Sequence, residues 1–229
     1  MLTLYHCVGA RSFRPLWVLA ELGLLEQRGQ NLRLVVLPFP PRAVARQYLD
    51  ENPLGTVPLL IDGATRMSES AAIAQYLAEK YAPNPLRVMP DEPDYGAWLN
   101  FLHFGEATLT FPQTLVLRYG RFELGERRLP QVVEDYGKWF HARLKTLEPR
   151  LAVQDFLCAD RFTVADISVG YALHLAEMLG LSERFTPAVL AYWQRLKVRP
   201  GFRRVLEAER EAAEAQGVST IPAPLVQPG

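Results

Sequence analysis

Every stretch of the 229-residue chain that alternates like a β-strand falls before residue 68, and from Tyr95 onward only helical spacing of apolar residues remains. That division predicts a small α/β unit followed by an all-helical one, since a sheet and a helical layer bury apolar surface with different periods. Leu2, Leu4 and Tyr5 predict a first strand, and HCVGARS a polar turn. A helix over Phe13 to Leu22 follows, with Phe13, Leu16, Trp17 and Ala20 in phase and Gly23 at its end. Asn31 to Leu37 predicts a second strand, and FPPRAVARQYLDENP a break with a short helix ending before Pro53. Val57 to Ile61 is the third strand, Asp62-Gly63 a tight turn, and Thr65 to Met67 a returning strand. A helix from about Ser68 to Tyr81 completes the order βαβαββα, a domain-sized unit over 1–81.

Prolines and acids crowd APNPLRVMPDEPD, which places a linker at 82–93. The remainder, 94–229, predicts helices near 94–119, 129–151, 163–180, 187–198 and 201–215. Pro112 should kink the first of these, and the proline-rich tail from Gly217 should pack irregularly. Thr163 and Asp166 have the spacing of an N-cap and its N3 partner, so each side chain satisfies an orphan N–H near the other's backbone, with Phe162 placed as a staple. This Asp reads as a folding signal. Trp98, Phe101, Leu102, Tyr136, Trp139, Phe140, Tyr192 and Trp193 read as core or interface packing.

Composition excludes more than it identifies. Lys and Arg total 25 against 25 Asp and Glu, leaving no basic surplus to attract nucleic acid or an anionic membrane. Cys7 and Cys158 form neither a disulfide framework nor a metal-ligand spacing, so no metal is expected. MLTLYHCVGA lacks the charged and long apolar regions of a secretory signal, and no long apolar run occurs, so a cytoplasmic chain is expected.

Pro58 is out of place at the mouth of a buried strand, because proline cannot donate to a sheet ladder. Ligand binding is the function that would keep it there. NPLGTVPLLIDG followed by RMSESAAIAQYLAEKY, with FTVADISV in the helical half, resembles the cytosolic glutathione S-transferase superfamily, and the match in order and spacing runs over nearly the whole chain. The resemblance implies a thioredoxin-like N-terminal domain and an all-α C-terminal domain. It further implies glutathione as cosubstrate, a small electrophile as second substrate, and a homodimer.

It implies site residues as well. A cis Val57–Pro58 bond would turn the Val57 backbone outward to pair with the glutathione cysteinyl unit. Ser70, at a helix start, would take the γ-glutamyl carboxylate and Glu69 the ammonium group. Capping by Ser68 or Ser70 is the structural alternative. Thr56 stands where relatives often carry Lys or Gln, with Arg42, Gln47 and Tyr48 as substitutes.

The bound thiol must ionise, and lowering a pKa of about 8.5 by two units takes about 2.7 kcal/mol. A helix N-terminus supplies only about 0.3–1 kcal/mol, whereas a hydrogen bond to the anion supplies about 1.5–3 kcal/mol. Ser12, Arg11 or a backbone N–H are the candidate donors, with capping as the other role of Ser12. The positions where relatives place the activating Ser or Cys hold Gly9, Ala10 and Arg11. Cys7 reads as a semi-buried thiol. His103, Phe111 and Tyr119, with Glu106, Ala107, Thr110 and Thr114, share a helical spacing suited to an acceptor pocket. Glutathione-dependent isomerisation, elimination or peroxide reduction share the same first half-site. A protein-interaction module without turnover is the non-enzymatic alternative.

Overall fold

The computed structural model describes residues 1–225. They form two compact units, one of Met1–Asn84 with Val198–Ala223, the other built on Pro85–Lys197. The first holds β1 (Leu2–His6), α1 (Phe13–Glu21), β2 (Leu32–Val36), the single turns α2 (Pro41–Val44) and α3 (Tyr48–Glu51), β3 (Leu59–Asp62), β4 (Thr65–Met67) and α4 (Ser70–Lys80). In the second lie α5 (Tyr95–His103), α6 (Phe111–Leu117), α7 (Pro130–Leu144), α8 (Glu148–Leu151), α9 (Val164–Met178) and α10 (Pro187–Lys197). The last long helix, α11 (Pro200–Ala215), returns to the first unit.

The sheet runs β2-β1-β3-β4. β1 is parallel to β2, with Leu2 opposite Leu32, and antiparallel to β3, with Tyr5 opposite Leu59. Alternation puts Leu2, Leu4 and His6 on the buried side of β1. Beyond the strand, His6 leads directly into the Cys7–Ser12 turn. β3 begins two residues later than its apolar run suggests. The Val57–Pro58 pair, whose peptide bond is cis, therefore lies outside the ladder. The hairpin turn is Gly63-Ala64, one residue on from Asp62-Gly63, because Asp62 still pairs with Thr65; Gly63 has φ +60°.

α11 belongs to this unit because its apolar stripe meets α1. Phe202 lies 4.9 Å from the Trp17 ring and 5.6 Å from that of Phe13, and burying such a ring is worth about 1.5–3 kcal/mol. Arg199 forks onto Glu21 at 3.0 and 2.8 Å. Gly201 leaves room for this pair, since a Cβ there would stand 2.4 Å from the Glu21 carboxylate and push it aside. Gln216, just past the helix, closes the outer edge of β2 like a strand: it accepts from Val36 N–H and donates to Leu34 C=O.

In the helical unit, α5 and α9 pack on Trp98, Leu102, Ile167 and Tyr171. The run expected as one helix over 94–119 is interrupted. Phe104–Thr110 and Arg118–Phe122 form wide π-type turns on either side of α6. Pro112 sits in the first turn of α6, so the irregularity precedes it, where its missing N–H and ring disfavour an ordinary turn. The Pro- and acid-rich stretch expected as a linker is fastened to this unit. Arg161 grips Glu92 at 2.7 and 2.8 Å and donates to the Arg87 carbonyl, and Val164 N–H donates to Leu86. Of the tail, residues up to 225 are described and 226–229 lie outside them.

Candidate functional site

The residues singled out in the first unit gather around two chain turns and one helix end. Tyr48 Oη and Asn52 Nδ2 both donate to the Thr56 carbonyl, at 2.7 and 2.8 Å. Two donors on one carbonyl hold the Thr56 backbone while its side chain stays exposed. Gly55, with φ +61°, lets Arg42 and Leu49 approach within the space a Cβ would need. The loop is thus rigid where it hands over to half-buried Val57. Arg42 donates to the Leu54 carbonyl, and burial pushes the Tyr48 hydroxyl up to about 12, so both serve the loop itself.

α4 begins at this end of the sheet. Its N-cap residue is Glu69, exposed and extended, and the Glu69 side chain makes no capping bond. Ser70 is buried, and its Oγ accepts at 3.1 Å from Arg14 Nη1. Arg14 itself is 0% exposed. A desolvated guanidinium therefore lies behind a helix N-terminus, and both favour an anion in front of Ser70. Arg14 went unnoticed in the sequence. Its signal was a charge flanked by Phe13, Leu16 and Trp17, all buried on the same helix.

Ser12 stands at the N-cap position of α1 in helical conformation and makes no side-chain cap. It is 0% exposed; its Oγ accepts from Cys7 N–H at 3.2 Å and faces the Cys7 carbonyl at 3.5 Å. The hydroxyl spans the turn. Arg11, next to it, is half-buried. Cys7 is fully buried and its thiol is pushed up to about 12, which keeps it protonated and inert at neutral pH.

His103 is exposed at the end of α5, Phe111 is 50% exposed at the start of α6, and Tyr119 is half-buried in the following π-type turn, under the Arg118 guanidinium at 5.4 Å. They share one helical run. Thr110 and Thr114 instead turn their hydroxyls to the Gly105 and Thr110 carbonyls of that run. Asp166 is internal: it accepts from Thr163 and Leu157 N–H and from Tyr192 Oη.

Residues 4–85 match the glutathione S-transferase N-terminal domain and residues 131–200 the C-terminal domain. The chain is 30% identical over 168 residues to glutathione S-transferase D7 of Drosophila melanogaster, covering 71% of each protein. It is 29% identical to glutathione S-transferase 3 of Zea mays, over 81% of this chain and 86% of that one. The glutathione transferase URE2P6 of Phanerochaete chrysosporium, solved with oxidised glutathione, superposes with a TM-score of 0.78 at 27% identity, covering 92% of this chain and 97% of the other. By domain matches, relatives and fold together, this chain belongs to the glutathione S-transferase family.

Proposed function

We propose that the protein is a glutathione transferase that binds glutathione, ionises its thiol and joins the sulfur to a small electrophile. The observation that carries this is the α4 N-terminus: an exposed carboxylate at Glu69 beside Ser70, backed by the buried Arg14. A γ-glutamyl group carries an ammonium and a carboxylate on one carbon. Glu69 would accept from the first, and Ser70 with the helix end would take the second. The Val57 backbone, beyond the β1–β3 ladder, would pair with the cysteinyl unit, with Thr56 alongside.

The sulfur would then lie against the Cys7–Ser12 turn. Of the two side chains proposed there, Arg11 has the exposure to reach an anion, while Ser12 shapes the turn from inside. In the reaction the thiol proton passes to solvent, the thiolate pair forms the new carbon–sulfur bond, and the bond broken at the electrophilic carbon carries its pair away with the leaving group, as halide from an aryl halide; His103, Phe111 and Tyr119 are the proposed acceptor contacts. The family reading also carries a cytoplasmic homodimer. Burial of Ser12 favours a second reading, a glutathione-binding module without turnover.

Calorimetric titration with glutathione tests the proposal. Binding should occur, and Glu69→Ala should weaken it about tenfold or more, the worth of a charge-assisted hydrogen bond. Folded wild-type protein that takes up no glutathione would contradict it.

A further inference from the structure

The Cys7–Ser12 turn is held from outside as well as from within. Glu209, on α11, is buried, and its Oε2 accepts from Gly9 N–H at 3.2 Å and lies 3.1 Å from His6 Nε2. The Ala223 N–H donates to the Val8 carbonyl at 2.7 Å. Val8 C=O and Gly9 N–H belong to one peptide group, so its two polar ends are gripped by two points of the C-terminal segment. Gly9 follows with φ +69°, a conformation whose aim depends on how that peptide faces.

Glu209 pairs with His6 as well as with the turn. It interrupts the apolar stripe Phe202, Val205, Ala208, Ala212 of α11, all buried, where an aliphatic residue would pack more cheaply. His6 orients it, with Nε2–H donating to the carboxylate.

We propose that Glu209 and the Ala223 N–H clamp the Val8–Gly9 peptide, and that Glu209 is thereby a positioning residue for thiol activation, setting the direction in which the far side of the turn, at Arg11, faces the glutathione sulfur; the Ala10 N–H stays inside the turn on the Cys7 carbonyl. This rests on the glutathione-transferase reading. The clamp touches no group assigned to the γ-glutamyl end, so it acts on the thiol and leaves glutathione affinity almost alone.

The test compares Glu209→Leu, Glu209→Gln and Ala223→Pro with the wild type, measuring glutathione affinity, bound-thiolate absorbance against pH, and kcat with a chromogenic aryl halide. Glu209→Leu should raise the bound thiol pKa by about one unit and lower kcat about tenfold, with the glutathione Kd, measured on the acid side where the bound thiol is protonated, changed by less than about threefold. Glu209→Gln should restore both, because its amide oxygen still accepts from Gly9 and His6. Ala223→Pro removes only the second grip, at a helix-start position where proline is tolerated, and decides the matter if Glu209→Leu does not fold; it should move the thiol pKa in the same direction. A wild type that activates the thiol, with these variants leaving pKa and kcat unchanged, overturns the clamp alone. A folded wild type without glutathione binding overturns the transferase reading and the clamp together.

Discussion

The N-terminus of α9 and that of α4 present the same physical problem and solve it in opposite ways. Both offer unpaired N–H groups and the positive end of a helix dipole. At α9 the answer is internal: Thr163 accepts from Ala165 N–H, Asp166 accepts back from Thr163 N–H, and Leu157 and Tyr192 use up the remaining carboxylate oxygen. At α4 the carboxylate of Glu69 stays exposed and makes no capping bond, and the buried Arg14 adds positive charge behind Ser70. A helix end that completes itself serves folding. One that imports a buried cation and leaves an acid outside suits a ligand with both signs of charge, the reading proposed above for α4.

Breaking the closed end should cost the most. Asp166→Ala strands the Leu157 and Thr163 N–H donors and the Tyr192 hydroxyl, and should lower stability by about 3 kcal/mol or more, measured as a fall in the urea midpoint with no change in slope. A loss under about 1 kcal/mol would mean that water replaces the carboxylate. Asp166 also fixes a pH signature. Burial, opposed by its hydrogen bonds, raises it from 3.8 to about 6. The native state therefore binds this proton more tightly than the unfolded chain. Its contribution to stability should increase as pH falls from above 6 toward 4, and wild type should gain on Asp166→Asn over that window. A gain in the reverse direction would contradict the assignment.

Breaking the open end should leave the fold intact and cost ligand instead. Glu69→Gln should weaken glutathione about three- to tenfold, with a melting temperature close to that of the wild type, since the residue is exposed and its side chain makes no capping bond. An equal loss of stability would make Glu69 a structural residue like Thr163.

Smaller effects separate the two faces of the Cys7–Ser12 turn. Arg11→Ala should raise the bound thiol pKa, while Ser12→Ala should leave it nearly unchanged and cost about 1 kcal/mol of stability through the lost Cys7 contact. The reverse pattern would return the thiol donor role to Ser12. Smallest of all, Cys7 should resist alkylation at pH 8 in the folded protein, since it is buried and its thiol lies near 12.

What the sequence shows and hides follows range. The succession of strands and helices along the first unit, the proline before β3 and the Thr163–Asp166 box are local, and each is legible from neighbouring residues; the sheet order β2-β1-β3-β4 is not. The π-type turns flanking α6 were not, because apolar spacing changes little between a turn of four residues and a slightly wider one. Nor was the assignment of α11 to the sheet unit: its stripe declares a buried face without naming the partner. Glu209 and His6 stand 203 residues apart, and only the fold brings them together. An acid inside the α11 stripe and an arginine within the apolar α1 were the visible traces of those long-range contacts.

The measurement that tests the central claim most directly is the ultraviolet absorbance of enzyme-bound glutathione thiolate across pH. The account predicts saturable binding with the thiol ionising well below its free value of about 8.5, lost in Glu69→Ala only through weaker binding. Bound glutathione that ionises at its free value would contradict an activated cosubstrate and leave a binding module.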